Sequence, residues 1–214
     1  MITIVDYGLG NLGSVANMLK KIGVPCRVCA QPDDVAAATA LILPGVGHFD
    51  TGMKNLHERG LAQVLAHQVV DLKVPILGIC LGMQLLARRS AEGSEAGLGW
   101  LAADVQRLQP SSDQPGLAIP HMGWNTVEAR DELLFRGPVD PERRYYFVHS
   151  YHLVADDPSV VAAWANYGVR FSAAVHQGNV AGVQFHPEKS HKYGMALLRN
   201  WATAALDGSV ARAS

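Results

Sequence analysis

Apolar residues recur at two periods along this chain. Ile2 to Val5 is a short β-branched run, after which Val15, Met18, Leu19 and Ile22 fall at helical spacing. Gly23 stands where a C-terminal glycine would end that helix, and Pro25 follows. Strands are predicted over 26–29 and 40–43. An amphipathic helix is predicted over 56–70 through Leu61, Val64, Leu65 and Gln68, then a buried strand over 75–79 and a further helix from Met83 to Arg89. Apolar strands separated by helices imply a parallel sheet covered on both faces. From about 99 to 184 the rhythm changes. Strands are predicted there over 105–108, 145–149, 160–164, 172–176 and 180–185 with no long helix between them, which suggests an antiparallel extension. A last helix over 191–206 carries Leu197, Leu198, Trp201 and Ala205 on one face. The expectation is one α/β domain with a mixed sheet over 1–206 and a frayed tail over 207–214.

Composition narrows the function. Of 214 residues, 49% are hydrophobic and 17% charged, enough for a core and too few charges for a disordered chain. Eighteen Lys and Arg against 19 Asp and Glu leave a net charge of −1. That balance argues against nucleic acid as a partner and against a polybasic membrane anchor. The opening MITIVDYGLG lacks the basic start of a signal peptide, and the most apolar stretch, Val35 to Leu43, falls short of the ~20 residues a membrane-spanning helix needs. Three cysteines cannot build a disulfide framework, so a reducing, cytoplasmic setting is expected. The nine histidines show no metal-ligand spacing, so neither metal nor cofactor is expected.

The chemistry concentrates at three strand ends. Gly78-Ile79-Cys80-Leu81-Gly82 has the form of a nucleophile elbow with cysteine at its centre. Such a turn strains the central residue and crowds both flanks, which glycine tolerates. The helix start beneath the sulfur favours a thiolate. Val183-Gln184-Phe185-His186-Pro187-Glu188 ends an apolar strand with His-x-Glu. In extended backbone His186 and Glu188 would project to the same side, so the carboxylate could orient the imidazole and support its charged form. Together these stretches suggest a Cys80–His186–Glu188 triad. Pro44-Gly45-Val46-Gly47-His48, after another apolar strand, could lend backbone N–H groups to a tetrahedral oxyanion, together with the amide of Leu81.

GICLGMQ around Cys80 and VQFHPEKS around His186 resemble the class I (triad) glutamine amidotransferases. PGVGH (44–48), PHMGWN (120–125), FVHSY (147–151) and the opening VDYGLGNLGSV are similar to the branch that serves imidazole glycerol phosphate synthases as glutaminase subunits. The likeness runs from about residue 2 to 203. It implies a flavodoxin-like α/β fold with a mixed, mostly parallel sheet and helices on both faces. It further implies that Cys80 attacks the side-chain amide of L-glutamine, that His186 acts as base and then acid, and that Glu188 orients His186. Val46 and Leu81 would form the oxyanion hole, with a peptide flip in the Gly45–Val46 loop. Gly47, Gln84, His149, Ser150 and Tyr151 would hold the substrate. The ammonia would pass to a (β/α)₈-barrel cyclase partner that makes imidazole glycerol phosphate and AICAR, with Asn11, Trp124, Tyr146 and Lys189 on the docking face. Ammonia is protonated and lost in neutral water, so an enclosed path fits a partner-dependent enzyme. Trp124, expected on a loop, has the character of an interface anchor. Gly13 departs from the larger side chain frequent in relatives, and His152 occupies a variable position.

Other readings compete. Gly8-Leu9-Gly10-Asn11-Leu12-Gly13 is a literal G-x-G-x-x-G before a helix, with Asp33 and Asp34 about 20 residues on, which suggests an NAD(P)-dependent oxidoreductase. Pro32-Asp33 reads better as a turn than as the acidic end of a strand, and that reading leaves the triad idle. Cys26-x-x-Cys29 could be half a zinc site or a redox pair, but on a strand the two thiols face opposite sides. A paralogous glutaminase feeding another synthase, for example in sugar amidation, and a binding-only pseudoenzyme complete the set.

Overall fold

The computed structural model describes residues 1–109, 117–137 and 142–209. The first half alternates strand and helix: β1 (Ile2–Val5), α1 (Leu12–Lys21), β2 (Cys26–Cys29), α2 (Pro32–Ala36), β3 (Ala40–Gly45), α3 (Phe49–Glu58), α4 (Leu61–Ala66), β4 (Ile76–Cys80) and α5 (Leu81–Leu85). The second half is nearly all strand: β5 (Ala103–Arg107), β6 (His121–Thr126), β7 (Glu128–Ala129), β8 (Arg144–His149), β9 (Tyr151–Ala155), β10 (Val161–Asn166), β11 (Arg170–Gln177) and β12 (Val180–Val183). Helix α6 (His191–Asp207) closes the described chain.

The main sheet has the order β2-β1-β3-β4-β12-β11-β10-β7. Its first five strands are mutually parallel and reproduce the flavodoxin-like order, with β12 in the fifth place. The remaining three run antiparallel. Alternate residues of the buried strands feed two cores. Ile2, Ile4, Ile42, Leu77, Ile79 and Val183 pack with α1 and α6, whereas Val5, Leu41, Leu43 and Ile76 pack with α3 and α4. Cys26 lies with the first core and Cys29 in the second, so the C-x-x-C thiols are on opposite faces of β2.

Helix α1 begins where the Asn11 side chain accepts the Ser14 N–H at 3.3 Å. It ends before Gly23, whose φ of +76° allows Val24 N–H to reach back to the Leu19 carbonyl at 2.9 Å.

Four local expectations are corrected. The single helix predicted over 56–70 is two, because Gly60 at φ +68° breaks the run between α3 and α4, and a π turn over His67–Asp71 follows. The helix predicted from Met83 starts at Leu81, directly on the cysteine, and ends at Leu85. The segment ending at Val183 is not part of an antiparallel extension alone: β12 pairs parallel with β4 and antiparallel with β11, so it joins the two halves of the sheet. Strands β5–β9 and β6–β8 form separate two-stranded sheets rather than extending the main one. Helix α2 and strands β6 and β9 had no clear period in the sequence. The frayed tail falls mainly on 210–214, outside the described residues.

Candidate active site

Strand β4 delivers Cys80 to the carboxyl edge of the sheet with φ +54° and ψ −109°, a backbone state that costs a non-glycine residue energy. The flanking glycines make this turn possible. A Cβ at Gly78 would lie 2.7 Å from the Gly82 backbone, and one at Gly82 would overlap the Leu43 carbonyl. Cys80 is 7% exposed, with the Leu81 N–H opening α5 just beyond it.

His186 reaches the same edge from the end of β12. Its backbone N–H is held by the Tyr146 carbonyl at 2.9 Å. Its Nδ1 lies 2.8 Å from Glu188 Oε1, with the two side chains 1% and 2% exposed. The strand alternation expected to make this pair does not do so: His186 is extended, whereas Pro187–Lys189 is a 3₁₀ turn that folds the carboxylate back onto the ring. Burial works against the imidazolium, yet the Cys80 sulfur and the Glu188 carboxylate more than offset it and push His186 up to about 10. Nε2, the nitrogen not engaged by Glu188, makes no hydrogen bond among the described residues. With the ring charged at neutral pH, this nitrogen carries a proton that it can pass to a leaving group, and contacts of this kind commonly tighten only with substrate bound.

A cavity of about 260 Å³ opens beside the sulfur, lined by Val46, Gly47, Cys80, Leu81, Gln84, Glu92, Pro120, Val148, His149, Ser150, Tyr151 and His186. Every residue expected in the oxyanion hole or around substrate is in this lining; Glu188 sits behind His186. Gln84 Nε2 donates to the Tyr151 carbonyl at 2.9 Å and to Gln184 Oε1 at 3.0 Å. With both N–H groups committed, Gln84 can offer a ligand only its carbonyl oxygen.

The sequence reading missed Gln184, Glu92 and Tyr7. Gln184 is fully buried and its Nε2 lies 3.7 Å from Cys80 Sγ; a lone amide in the apolar run Val183–Phe185 was the available signal. Glu92 supplies the carboxylate of the lining from an irregular segment with no period to flag it, and its Oε2 accepts the Phe49 N–H at 2.8 Å. Tyr7 is buried beside Gly45, and its hydroxyl finds no hydrogen-bond partner among the described residues.

The residues expected on a docking face lie outside the cavity. Trp124 is on strand β6, not on a loop, and remains 41% exposed. Its ring stacks on His191 at 5.6 Å and meets Tyr146 edge-on at 6.2 Å, while Lys189 Nζ sits 5.6 Å over Tyr146. Met122, 62% exposed, shares the outer face of β6. Asn11 is exposed and caps α1, which packs against the Pro187–Lys189 turn. Within the G-x-G-x-x-G segment Gly10 serves packing instead, since a Cβ there would lie 3.2 Å from the Pro44 carbonyl, whereas nothing lies within 4 Å of a Cβ at Gly13. Asp33 and Asp34 open α2 rather than end β2.

Residues 3–205 match the family described as glutamine amidotransferase class-I. The chain belongs to that family. Among relatives of this class-I amidotransferase, the imidazole glycerol phosphate synthase subunit HisH 2 of Pseudomonas aeruginosa is 47% identical, covering 94% of this chain and 98% of its own. The imidazole glycerol phosphate synthase subunit HisH of Bdellovibrio bacteriovorus is 48% identical, covering 94% and 99%. A solved glutamine amidotransferase superposes with a TM-score of 0.71 at 23% identity, covering 96% of this chain and 99% of that one, which supports the class-I amidotransferase fold. Among the described residues no helix is long and apolar enough to cross a membrane.

Proposed function

We propose that this chain is the glutaminase subunit of an imidazole glycerol phosphate synthase, folded as one domain over 1–206 and working in the cytoplasm. The observation that carries the chemistry is the buried His186–Glu188 pair set against Cys80 on its strained turn. The relatives' names, at nearly half identity over almost the whole chain, carry the pathway.

With the proton they share held on His186 Nε2, the Cys80 sulfur attacks the side-chain carbonyl carbon of L-glutamine. The oxyanion that forms meets the backbone N–H groups of Leu81 and Val46, and Glu188 holds the imidazolium in place. His186 then gives its proton to the leaving nitrogen. The C–N bond breaks, ammonia departs and a thioester remains. Water, losing a proton to His186, attacks the thioester; the C–S bond breaks and glutamate is released. The substrate's ammonium suits the Glu92 carboxylate and the Gln84 carbonyl, and its carboxylate suits the backbone of Ser150 and Tyr151. No step calls for a metal or cofactor.

The ammonia goes to a (β/α)₈-barrel cyclase docked on the face built by Trp124, Met122, Tyr146 and Lys189, with Asn11 at its edge. Exposed aromatic residues with a flanking cation are the anchors such interfaces use.

The test is glutamate release from glutamine with and without the cyclase and its phosphoribosyl ligand, alongside Cys80→Ala. Stimulation by the cyclase that vanishes in the variant supports the whole reading. Activity that needs Cys80 but ignores the cyclase moves the chain to another ammonia acceptor. No turnover under any condition overturns the enzyme reading.

A further inference from the structure

Behind the wall of the cavity, β6 and β8 bring two buried histidines into contact. His149 Nδ1 lies 2.9 Å from the Tyr151 carbonyl oxygen, which can only accept, so this nitrogen carries a proton. His149 Nε2 lies 3.0 Å from His121 Nδ1, and His121 Nε2 lies 3.3 Å from Asn125 Nδ2. The Asn125 amide is oriented by its surroundings: Oδ1 accepts the Thr126 N–H at 2.8 Å, and Nδ2 donates to the Asn166 carbonyl, also at 2.8 Å. With both rings neutral, one arrangement satisfies all of these contacts. Each ring carries its proton on Nδ1 and accepts at Nε2. Burial favours that charge state, leaving His121 and His149 2% and 6% exposed and pushing them down to about 4 and about 3.

The chain of donors therefore has a direction, from Asn125 to His121 to His149 to the Tyr151 carbonyl. That carbonyl is also where Gln84 Nε2 ends. It belongs to the cavity edge formed by Ser150 and Tyr151. We propose that His121 is a positioning residue of the glutaminase: by donating to His149 it holds the Ser150–Tyr151 edge and the Gln84 amide in the geometry that receives L-glutamine. This deepens the reading of the cavity as the glutamine site and rests on it.

The physical reason is the cost of an orphaned acceptor. Without the His121 proton, His149 Nε2 would be a buried group with no donor. The ring gains by rotating or changing tautomer, and either movement releases the Tyr151 carbonyl. A group that shapes the binding edge, and touches no reacting atom, acts on ground state and transition state alike. Its loss raises KM and spares kcat.

Two substitutions separate this role from simple packing. The His121 ring stacks between Phe147 and Tyr167, with centroids 4.9 and 4.0 Å away. His121→Phe keeps a stacked ring and removes the donor. His121→Asn removes the ring and places an amide N–H where Nδ1 was. Measured as glutamate release in the complex with the partner subunit, His121→Phe is expected to raise KM for glutamine about 3- to 10-fold, as the loss of one hydrogen bond would. kcat should change by less than about twofold, and His121→Asn should restore most of the KM.

A wild-type KM in His121→Phe overturns the proposal, and so does a His121→Asn variant as impaired as His121→Phe. Should neither variant fold, nitrogen NMR of the unmodified chain decides. Both rings must show the Nδ1–H tautomer and stay neutral between pH 5.5 and 8, and an Nε2–H tautomer on either overturns the chain. Glutamine turnover absent from the unmodified complex overturns the reading of the cavity and this role with it, and the tautomers then report packing alone.

Discussion

Gly45 and Cys80 are direct register partners across the β3–β4 ladder. The backbone that follows Gly45 is thereby set beside the sulfur, where an oxyanion would form. There is no room for a side chain at this point. A Cβ on Gly45 would overlap the Tyr7 hydroxyl and lie 2.9 Å from Leu81 Cβ and 3.0 Å from the Gly82 nitrogen. Gly45→Ala should therefore push β3 away from the elbow. The expected cost is about 1–3 kcal/mol of stability, typical of overpacking, with glutaminase activity down at least tenfold. Urea unfolding and glutamate release check both, and a variant with wild-type values on each would show that β3 has slack.

Glu188→Gln keeps the shape of the side chain and removes the charge that sits 2.8 Å from His186 Nδ1. The amide can also present an N–H to that nitrogen and so favour the wrong tautomer. kcat for glutamine should fall by about 10²-fold or more, with KM little changed. A variant that keeps more than about a third of the wild-type kcat would remove Glu188 from the triad.

The histidines pull stability in opposite directions with pH. His186 is raised to about 10, so its contribution is complete below about 6.5, its unfolded value, and is lost as pH rises through about 10. His121 and His149 are lowered to about 4 and about 3, so their contribution is complete above about 6.5 and is lost as pH falls through those values. For His121 alone the full loss is about 3 kcal/mol. Urea midpoints should therefore peak near neutrality and decline on both sides. His186→Gln should flatten the alkaline limb and His121→Asn the acid one; limbs that ignore these substitutions would assign the pH dependence to other groups.

Trp124 is 41% exposed and held by His191 and Tyr146, so it is presented without being needed for the core. Trp124→Ala should leave the thermal midpoint within about 2 °C, because exposed side chains contribute little. Binding of the cyclase should weaken by more than about tenfold, as expected of an aromatic anchor. Calorimetric titration measures this directly, and unchanged affinity would place the docking face elsewhere.

Tyr7→Phe removes a buried hydroxyl that has no hydrogen-bond partner among the described residues. Burial raises the Tyr7 pKa far beyond its ordinary value, with Cys80 adding to the rise. Deleting an unsatisfied polar group is neutral or stabilising, so the thermal midpoint should hold or rise, unlike most core substitutions. A clear drop would mean that the hydroxyl is satisfied in solution.

Short-range pattern alone was enough for much of this protein. Strand β1 coincides residue for residue with its apolar run, because a buried strand is marked by its own composition. The cysteine elbow and the His-x-Glu were legible for a similar reason: strain, glycine and a neighbouring carboxylate act within a few residues. Strand β6 was not legible, because its pattern is inverted. Its outer face carries Met122 and Trp124 and its inner face His121 and Asn125, so the apolar residues look away from the core. The parallel pairing of β12 with β4 was hidden as well, since strand composition names no partner. That pairing places His186 at the edge that bears Cys80. The chain from Asn125 through His121 and His149 exists only once β6 and β8 are paired, with His121 opposite His149. Spacing along the chain carries no record of a hydrogen bond between residues 28 apart, because only the folded backbone sets the distance and direction such a bond requires.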